Sequence, residues 1–89
     1  MKGGGTMSDN INMRDKLIEE FVNNYMEKIF YFCLKNTNNQ FEAEDLTQDI
    51  ALNVIKSLNK GTVPNNYSAW IWQITRNVYS KWAIKKRLK

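Results

Sequence analysis

Apolar side chains recur every three or four residues along most of this chain, and this spacing limits what it can fold into. The spacing is the period of an amphipathic α-helix, in which such positions share one face. No segment shows the strict alternation of apolar and polar residues that is typical of a strand, and no segment is repeated. We therefore predict an all-α fold.

The first helix is predicted from about Asn12 to Asn36, after a flexible leader at residues 1–12. The apolar positions of this helix are Met13, Leu17, Ile18, Phe21, Val22, Tyr25, Met26, Ile29, Phe30 and Cys33. Tyr31 and Phe32 are expected to widen its buried face. The following "NTNN" at residues 36–39 ends the helix, because asparagine favours turns and helix caps.

The second helix is predicted from Asn39 to about Leu58. Asn39 and Glu42 fit a capping box, in which each side chain accepts a hydrogen bond from the backbone N–H of the other residue. Gly61 follows the helix and is suited to a left-handed turn that ends it.

The third helix is predicted from about Tyr67 to Lys86. Pro64 precedes it and cannot continue a helix, and either Asn65 or Asn66 can cap the new one. The three helices together predict a compact three-helix bundle that forms one domain over residues 13–88.

The composition excludes several classes of protein. At 89 residues the chain is one domain, and no apolar run approaches the roughly 18 residues that would span a bilayer. The N-terminus lacks the apolar stretch of a secretory signal. The single cysteine, Cys33, rules out an internal disulfide and is expected to fill the core. The simplest expectation is a reducing, cytoplasmic compartment.

An enzyme is not expected from these residues. The chain has no histidine, and it shows no nucleophile–base pair, metal-ligand cluster or phosphate-binding glycine motif. We therefore expect no cofactor and no metal.

Charge is divided unevenly along the chain. Residues 1–55 contain nine acidic and five basic residues, a net charge of −4, whereas residues 56–89 contain eight basic residues and no acid, a net charge of +8. This asymmetry indicates two partners of opposite electrostatic preference.

The second helix has a polar face that the core does not need. Its predicted core face contains Ala43, Leu46, Thr47, Ile50, Val54 and Leu58. The opposite side carries Asp45, Gln48, Asp49, Leu52 and Lys56. By periodicity alone, a solvated face with one exposed leucine is the favoured interpretation. The alternative is a docking surface with Leu52 as its apolar anchor.

The third helix combines aromatic residues with cations. Its predicted buried side contains Tyr67, Ile71, Ile74, Val78 and Trp82, with Trp70 at the border. The other side carries Trp72, Arg76, Tyr79, Ala83, Lys86 and Arg87, and Thr75 lies between the two sides, next to Tyr79. One interpretation is that the additional aromatic residues pack on the first helix. The other is a nucleic-acid surface, in which cations bind phosphates and aromatic rings stack on unpaired bases.

Two motifs carry a resemblance to a known family. The segment "EAEDLTQDI" is followed about twenty residues later by "AWIWQITRNVYSKW". Together they resemble region 2 of the sigma-70 family of bacterial RNA polymerase factors, and most closely the extracytoplasmic-function type. The matching residues are Ala43, Glu44, Asp45, Leu46, Gln48, Asp49, Trp70, Ile74, Arg76 and Asn77. The resemblance covers about residues 14–88.

The resemblance implies a helical domain with two binding surfaces. One surface would dock on the clamp helices of the largest subunit of core RNA polymerase, and it would contain Asp45, Gln48, Asp49, Leu52 and Asn53. For the polar face of the second helix, the resemblance therefore favours a docking surface over a merely solvated face. The other surface would recognise and melt the minus-ten promoter element and hold the unpaired non-template strand. Many members of the family are also held inactive by an anti-sigma protein.

The DNA-binding residues are carried over by position. The loop from Lys60 to Asn66 would capture an extruded base, with Asn65 and Asn66 as its readers. Tyr67 matches an aromatic residue at the start of the family's helix. Trp72, Thr75, Arg76 and Tyr79 would meet the junction between duplex and single strands. Phosphate contacts would come from Lys81, Lys85, Lys86 and Arg87.

The sequence departs from the family pattern at several positions. Lys81 stands where an acidic residue is common, Trp72 replaces a commoner tyrosine, and Val63 and Pro64 make an unusual loop. The family's second DNA-binding domain, region 4, has no counterpart in this chain. The alternatives are an isolated domain of a longer factor, which we expect, and an unusually short protein.

Two other functions remain as alternatives. One is a helical regulator that binds double-stranded DNA through the major groove. The other is a protein-interaction or membrane-surface module that uses the basic helix.

Overall fold

The computed structural model describes the backbone of residues 3–88 and the side chains of residues 14–87. Four α-helices make up this part of the chain, and it contains no strand. They are α1 (Gly3–Asn24), α2 (Met26–Thr37), α3 (Gln40–Asn59) and α4 (Tyr67–Leu88). The predicted all-α class is confirmed.

The prediction of three helices is wrong by one, because the first predicted helix is two. Tyr25 lies between α1 and α2 with φ −120° and ψ −28°, outside helical geometry. Hydrogen bonds continue across this break, from Tyr25 N–H to Phe21 O at 2.9 Å and from Ile29 N–H to Tyr25 O at 2.8 Å. The apolar period therefore passes through the break unchanged, and no proline or glycine marks it.

The helix α1 also begins earlier than predicted. Its backbone is helical from Gly3, whereas the sequence placed the start near Asn12. Most of the predicted leader at residues 1–12 is thus helical backbone, while Met1 and Lys2 lie outside the described residues. The flexibility of the leader stays a prediction.

Asparagine ends α2 and begins α3, as the sequence predicted. Asn38 adopts a left-handed conformation with φ 55°, and its N–H donates to Leu34 O at 2.8 Å. The Asn39 side chain then accepts a hydrogen bond from Glu42 N–H at 3.0 Å and caps α3. The reciprocal half of the capping box is not formed, because Asn39 N–H donates to the Thr37 hydroxyl at 3.3 Å.

A glycine turn ends α3. Gly61 has φ 98°, a conformation that residues with a Cβ rarely adopt, and its N–H donates to Leu58 O at 3.0 Å. Thr62 N–H donates to Ser57 O at 3.2 Å, a bond that spans five residues as in a Schellman motif. The chain can then reverse direction, so that α4 packs back along α3.

The core lies where α3 meets the other helices. All six predicted core positions of α3 are buried, from Ala43 to Leu58. Phe21 of α1, Ile29 and Cys33 of α2, and Ile71 of α4 are fully buried against them. Burial raises the pKa of the Cys33 thiol, and a hydrogen bond with Thr47 opposes the shift. Cys33 therefore fills the core, as predicted.

One expectation for the first helical segment is wrong. Phe32 packs partly buried against the core, but Tyr31 is 58% exposed. Tyr31 lies about 100° around α2 from Phe32, which directs it away from the bundle.

Candidate functional site

The cations predicted to bind DNA are at the surface of α4. Arg76, Lys81, Lys85, Lys86 and Arg87 are all exposed. No acidic residue follows Asp49 in the chain, so α4 carries no charge that would repel a phosphate.

Trp72 and Tyr79 of α4 are partly buried, because they pack on α2. The ring of Phe32 meets Trp72 edge to face at a centroid distance of 5.9 Å, and it meets Tyr79 in the same way at 5.7 Å. Tyr79 in turn stacks on Trp82 at 5.9 Å. The interpretation that Trp72 and Tyr79 pack on the first helical segment is therefore confirmed. Both rings keep part of their surface in solvent, and the nucleic-acid surface stays a prediction.

Thr75 is not part of the exposed surface, which corrects the sequence prediction. Its side chain is fully buried, and its hydroxyl donates to Ile71 O at 2.9 Å. Thr75 lies one turn from Ile71, which is also fully buried, and this places it on the core side. In this conformation its hydroxyl cannot reach a ligand.

Lys86 is exposed but has partners within the protein. Its ammonium forms an ion pair with the Glu42 carboxylate at the start of α3, and it lies 5.6 Å from the centroid of the Trp82 ring. The Glu42 carboxylate is thus engaged by Lys86, while the Asn39 N–H that it would accept from in a capping box donates to Thr37. Sequence inspection missed the pair because Glu42 and Lys86 are 44 residues apart and meet only when α4 packs antiparallel on α3.

The loop between α3 and α4 presents polar groups to solvent. Lys60 and Asn65 are exposed. Asn66 is the residue that caps α4, since its side-chain oxygen accepts a hydrogen bond from Ala69 N–H at 3.1 Å. The Asn66 oxygen is thereby occupied, whereas its NH₂ group can still donate. Within residues 14–87 the Asn65 amide has no hydrogen-bond partner, so of the two predicted base readers it is the one with both polar atoms left for a ligand.

Tyr67 is held inside the domain rather than presented to a ligand. Its hydroxyl donates a hydrogen bond to Leu17 O of α1, and its ring meets Tyr25 edge to face at 5.7 Å. The other neighbour of the ring is Trp70, which stacks on it at 5.9 Å. Burial, the negative charge of Glu20 and the Tyr25 phenol raise the pKa of Tyr67 to about 12. Tyr67 therefore fixes the start of α4 against α1.

The residues predicted to bind polymerase form an exposed face on α3. Asp45, Gln48, Asp49, Leu52 and Asn53 are all exposed, and Leu52 leaves 60% of its surface in solvent. Among residues 14–87, neither aspartate forms an ion pair. The Asn53 amide donates to the backbone carbonyl of Asp49 at 2.8 Å. The face is thus available to a partner.

Sequence inspection missed one member of this face. Phe41 lies on α3 eleven residues before Leu52, which is close to three helical turns, so the two side chains share one side of the helix. Phe41 is 83% exposed. The same helical projection that grouped Asp45, Gln48 and Leu52 would have included Phe41 if it had been extended to the first turn of the helix.

A cleft brings residues from both predicted surfaces together. It has a volume of about 200 Å³ and lies between α3 and α4. Asp49 and Asn53 line one wall, and Lys81 and Lys85 line the other. The predicted polymerase and DNA surfaces therefore meet along the α3–α4 interface.

No group of three or more potential metal ligands occurs in the part of the chain that the structure describes. In the same part, no helix combines the length and the apolar character needed to cross a membrane.

Comparison with known proteins identifies the family. The model of the family Sigma-70 region 2 matches residues 21–88, which is most of the chain. The chain belongs to this family. The match takes in α2, α3, α4 and the end of α1, so it includes both candidate surfaces.

Two curated relatives of this chain are ECF RNA polymerase sigma factors. The ECF RNA polymerase sigma factor SigE of Mycolicibacterium smegmatis is 28% identical over 61 residues, covering 68% of this chain and 23% of that protein. The ECF RNA polymerase sigma factor SigW of Bacillus subtilis is 25% identical over 59 residues, covering 66% of this chain and 32% of that protein. The chain thus spans about a quarter to a third of these relatives. No solved structure matches it significantly.

Proposed function

We propose that this chain is the promoter-melting domain of an extracytoplasmic-function sigma factor and acts in transcription initiation with no catalytic role. In this proposal α3 docks on the clamp helices of the largest subunit of core RNA polymerase in the cytoplasm. The helix α4 and the loop before it bind the minus-ten element and hold its non-template strand in the unpaired state.

One observation carries the DNA-binding part of the proposal. Exposed cations on α4 adjoin aromatic rings that are only partly buried, as Arg76 lies four residues after Trp72 and three before Tyr79, on the same face. Cations attract both single and double strands, but a flat ring gains about 1–3 kcal/mol per base only from bases that have left the duplex. The combination therefore favours melted DNA over an intact major groove.

The contacts within the domain refine the list of DNA-binding residues. Thr75 is excluded by burial, and Tyr67 acts by positioning α4. Lys86 stays in the proposal despite its ion pair with Glu42. That pair is exposed, with 49% and 31% of the two side chains accessible, and such pairs contribute only about 0–1 kcal/mol. A phosphate can therefore displace Glu42 at little cost.

The DNA-binding part is tested by titrating the chain with a labelled single-stranded oligonucleotide and the matching duplex at several salt concentrations. We expect the single strand to bind more tightly. Replacing Arg76 and Arg87 with alanine should weaken binding and flatten its salt dependence by about 0.7 for each lost phosphate contact. Tighter binding of the duplex would favour a regulator that recognises double-stranded DNA. An unchanged salt slope would exclude this face of α4.

The polymerase-binding part is tested by a pull-down with core RNA polymerase. Leu52→Ala and Asp49→Ala should each reduce retention of the enzyme, because each removes a side chain from the exposed face of α3. Val22→Ala and Glu19→Ala are the matched controls, since they remove exposed side chains of the same kinds from α1. Equal retention of all four variants would contradict the assignment of α3.

A further inference from the structure

The aromatic contact between α2 and α4 places two further lysines beside the proposed DNA-binding face. Phe32 is the residue of α2 that touches both Trp72 and Tyr79. Lys28 lies four residues before Phe32 and Lys35 lies three residues after it. Residues at these spacings are neighbours on one face of a helix, so the two lysines border the aromatic contact on its α2 side.

The two helices run in the same direction and meet through their aromatic side chains. Tyr25, just before α2, meets Tyr67 at the start of α4, and Phe32 farther along α2 meets Tyr79 farther along α4. The strip of surface along this contact, the α2–α4 channel, has Lys28 and Lys35 on one edge and Arg76 on the other, as their helical positions require. All three cations are exposed.

Acidic residues are absent from both helical edges of this channel. The only acid of α2 is Glu27, and it lines a different groove, towards α3, together with Met26, Phe30 and Glu44. The helix α4 has no acid at all. Glu20 of α1 lies near Tyr67 and so marks the end of the channel where the two helices begin.

We propose that Lys28 and Lys35 of α2 bind phosphates of the single strand held by α4, so that the strand lies in a channel between the two helices. This proposal rests on the proposed function and adds to it a second helix and a path for the strand. The accessible parts of the partly buried Phe32, Trp72 and Tyr79 rings form the floor on which bases pack, and the lysines and Arg76 bind the backbone on either side.

The experiment compares three double variants of the full chain, and each variant lacks two positive charges. Lys28→Ala with Lys35→Ala removes the α2 edge. Arg14→Ala with Lys16→Ala removes two exposed cations from α1, away from the channel. Arg76→Ala with Arg87→Ala tests the α4 face itself. Binding of a short fluorescein-labelled single strand is followed by fluorescence anisotropy from low to moderate salt, and circular dichroism verifies that each variant is folded.

If the proposal is right, the α2 pair lowers the salt slope by about 1.4 and the affinity on the order of tenfold near 0.1 M salt. The α1 pair should leave the slope unchanged, and Lys28→Arg with Lys35→Arg should restore binding. If the α2 double variant binds the single strand as the α1 double variant does, while the α4 double variant binds it more weakly, the proposed channel is wrong and the proposed function stands. If neither the α2 pair nor the α4 pair weakens binding, the proposed function itself fails.

Discussion

The hydroxyl of Tyr67, the first residue of α4, donates a hydrogen bond to the carbonyl oxygen of Leu17, fifty residues earlier in α1. This bond joins the helix proposed to bind DNA to the helix farthest from it in sequence. The loop before Tyr67 is proposed to read a base, so the same bond also fixes one end of that loop.

Tyr67→Phe should therefore destabilise the domain modestly. The substitution keeps the ring that packs on Tyr25 and Trp70 and removes only the hydrogen bond, which is worth about 1 kcal/mol. For a domain of this size the melting temperature should fall by about 4–8 °C, measured by circular dichroism. Tyr31→Phe is the control, since Tyr31 is exposed and should melt like the wild type.

Stability should also fall at alkaline pH because of Tyr67. Its pKa is raised to about 12 in the folded state, whereas an unfolded tyrosine titrates near 10. The folded state therefore favours the protonated phenol, and this contribution is complete below pH 10 and is lost as the pH rises from 10 through 12. Urea unfolding at several pH values should show the decline, and Tyr67→Phe should show a smaller one. Identical declines in both proteins would contradict the assignment.

Thr75→Val should leave both stability and DNA binding nearly unchanged. The Thr75 hydroxyl is bonded to a helix carbonyl of Ile71, so its removal leaves no buried donor without a partner. We expect a change in unfolding free energy within about 1 kcal/mol, whereas Ile71→Ala should cost about 2–5 kcal/mol by opening a cavity. Loss of DNA binding by a Thr75→Val protein of normal stability would show that Thr75 becomes exposed in the complex.

Phe41→Ala should weaken binding to core RNA polymerase. Phe41 shares the exposed side of α3 with Leu52, and large aromatic side chains at interfaces often contribute more than 1 kcal/mol. We expect at least a fivefold loss of affinity, about 1 kcal/mol, with unchanged folding stability. Tyr31→Ala serves as the control, because it removes an exposed aromatic ring from the outer side of α2.

Local patterns predicted most of the fold and left out contacts that depend on tertiary packing. The core face of α3, the caps Asn39 and Asn66, and the turn at Gly61 all follow from residue type and spacing. The break at Tyr25 was not predicted because it keeps the hydrogen bonds and the apolar period of a continuous helix. For side chains at the border between two faces, such as Thr75, the packing of the helices decides whether they are exposed.

In the candidate site, too, local patterns predicted some features and tertiary packing decided the others. Exposure of the α3 face follows from its position opposite a buried face, and the sequence predicted it. Thr75 was misplaced because it lies at the border between the two faces of α4, where a small rotation of the helix decides burial. Phe32 received no role beyond packing, since its contacts with Trp72 and Tyr79 join segments about forty residues apart.

Glu42→Gln should increase the affinity for single-stranded DNA. It removes the carboxylate that holds Lys86 and lowers the negative charge near the end of α4. Because the pair is exposed, the gain should be less than about fivefold, corresponding to at most about 1 kcal/mol, and it should shrink as salt is added. Fluorescence-anisotropy titrations measure the affinity, with Glu27→Gln as the control, since Glu27 lines the groove towards α3.

Adding Lys86→Ala to Glu42→Gln should abolish the gain in affinity, because the Glu42 carboxylate acts through the Lys86 ammonium. A gain that survives in the double variant would mean that Glu42 repels DNA directly and that Lys86 does not bind phosphate.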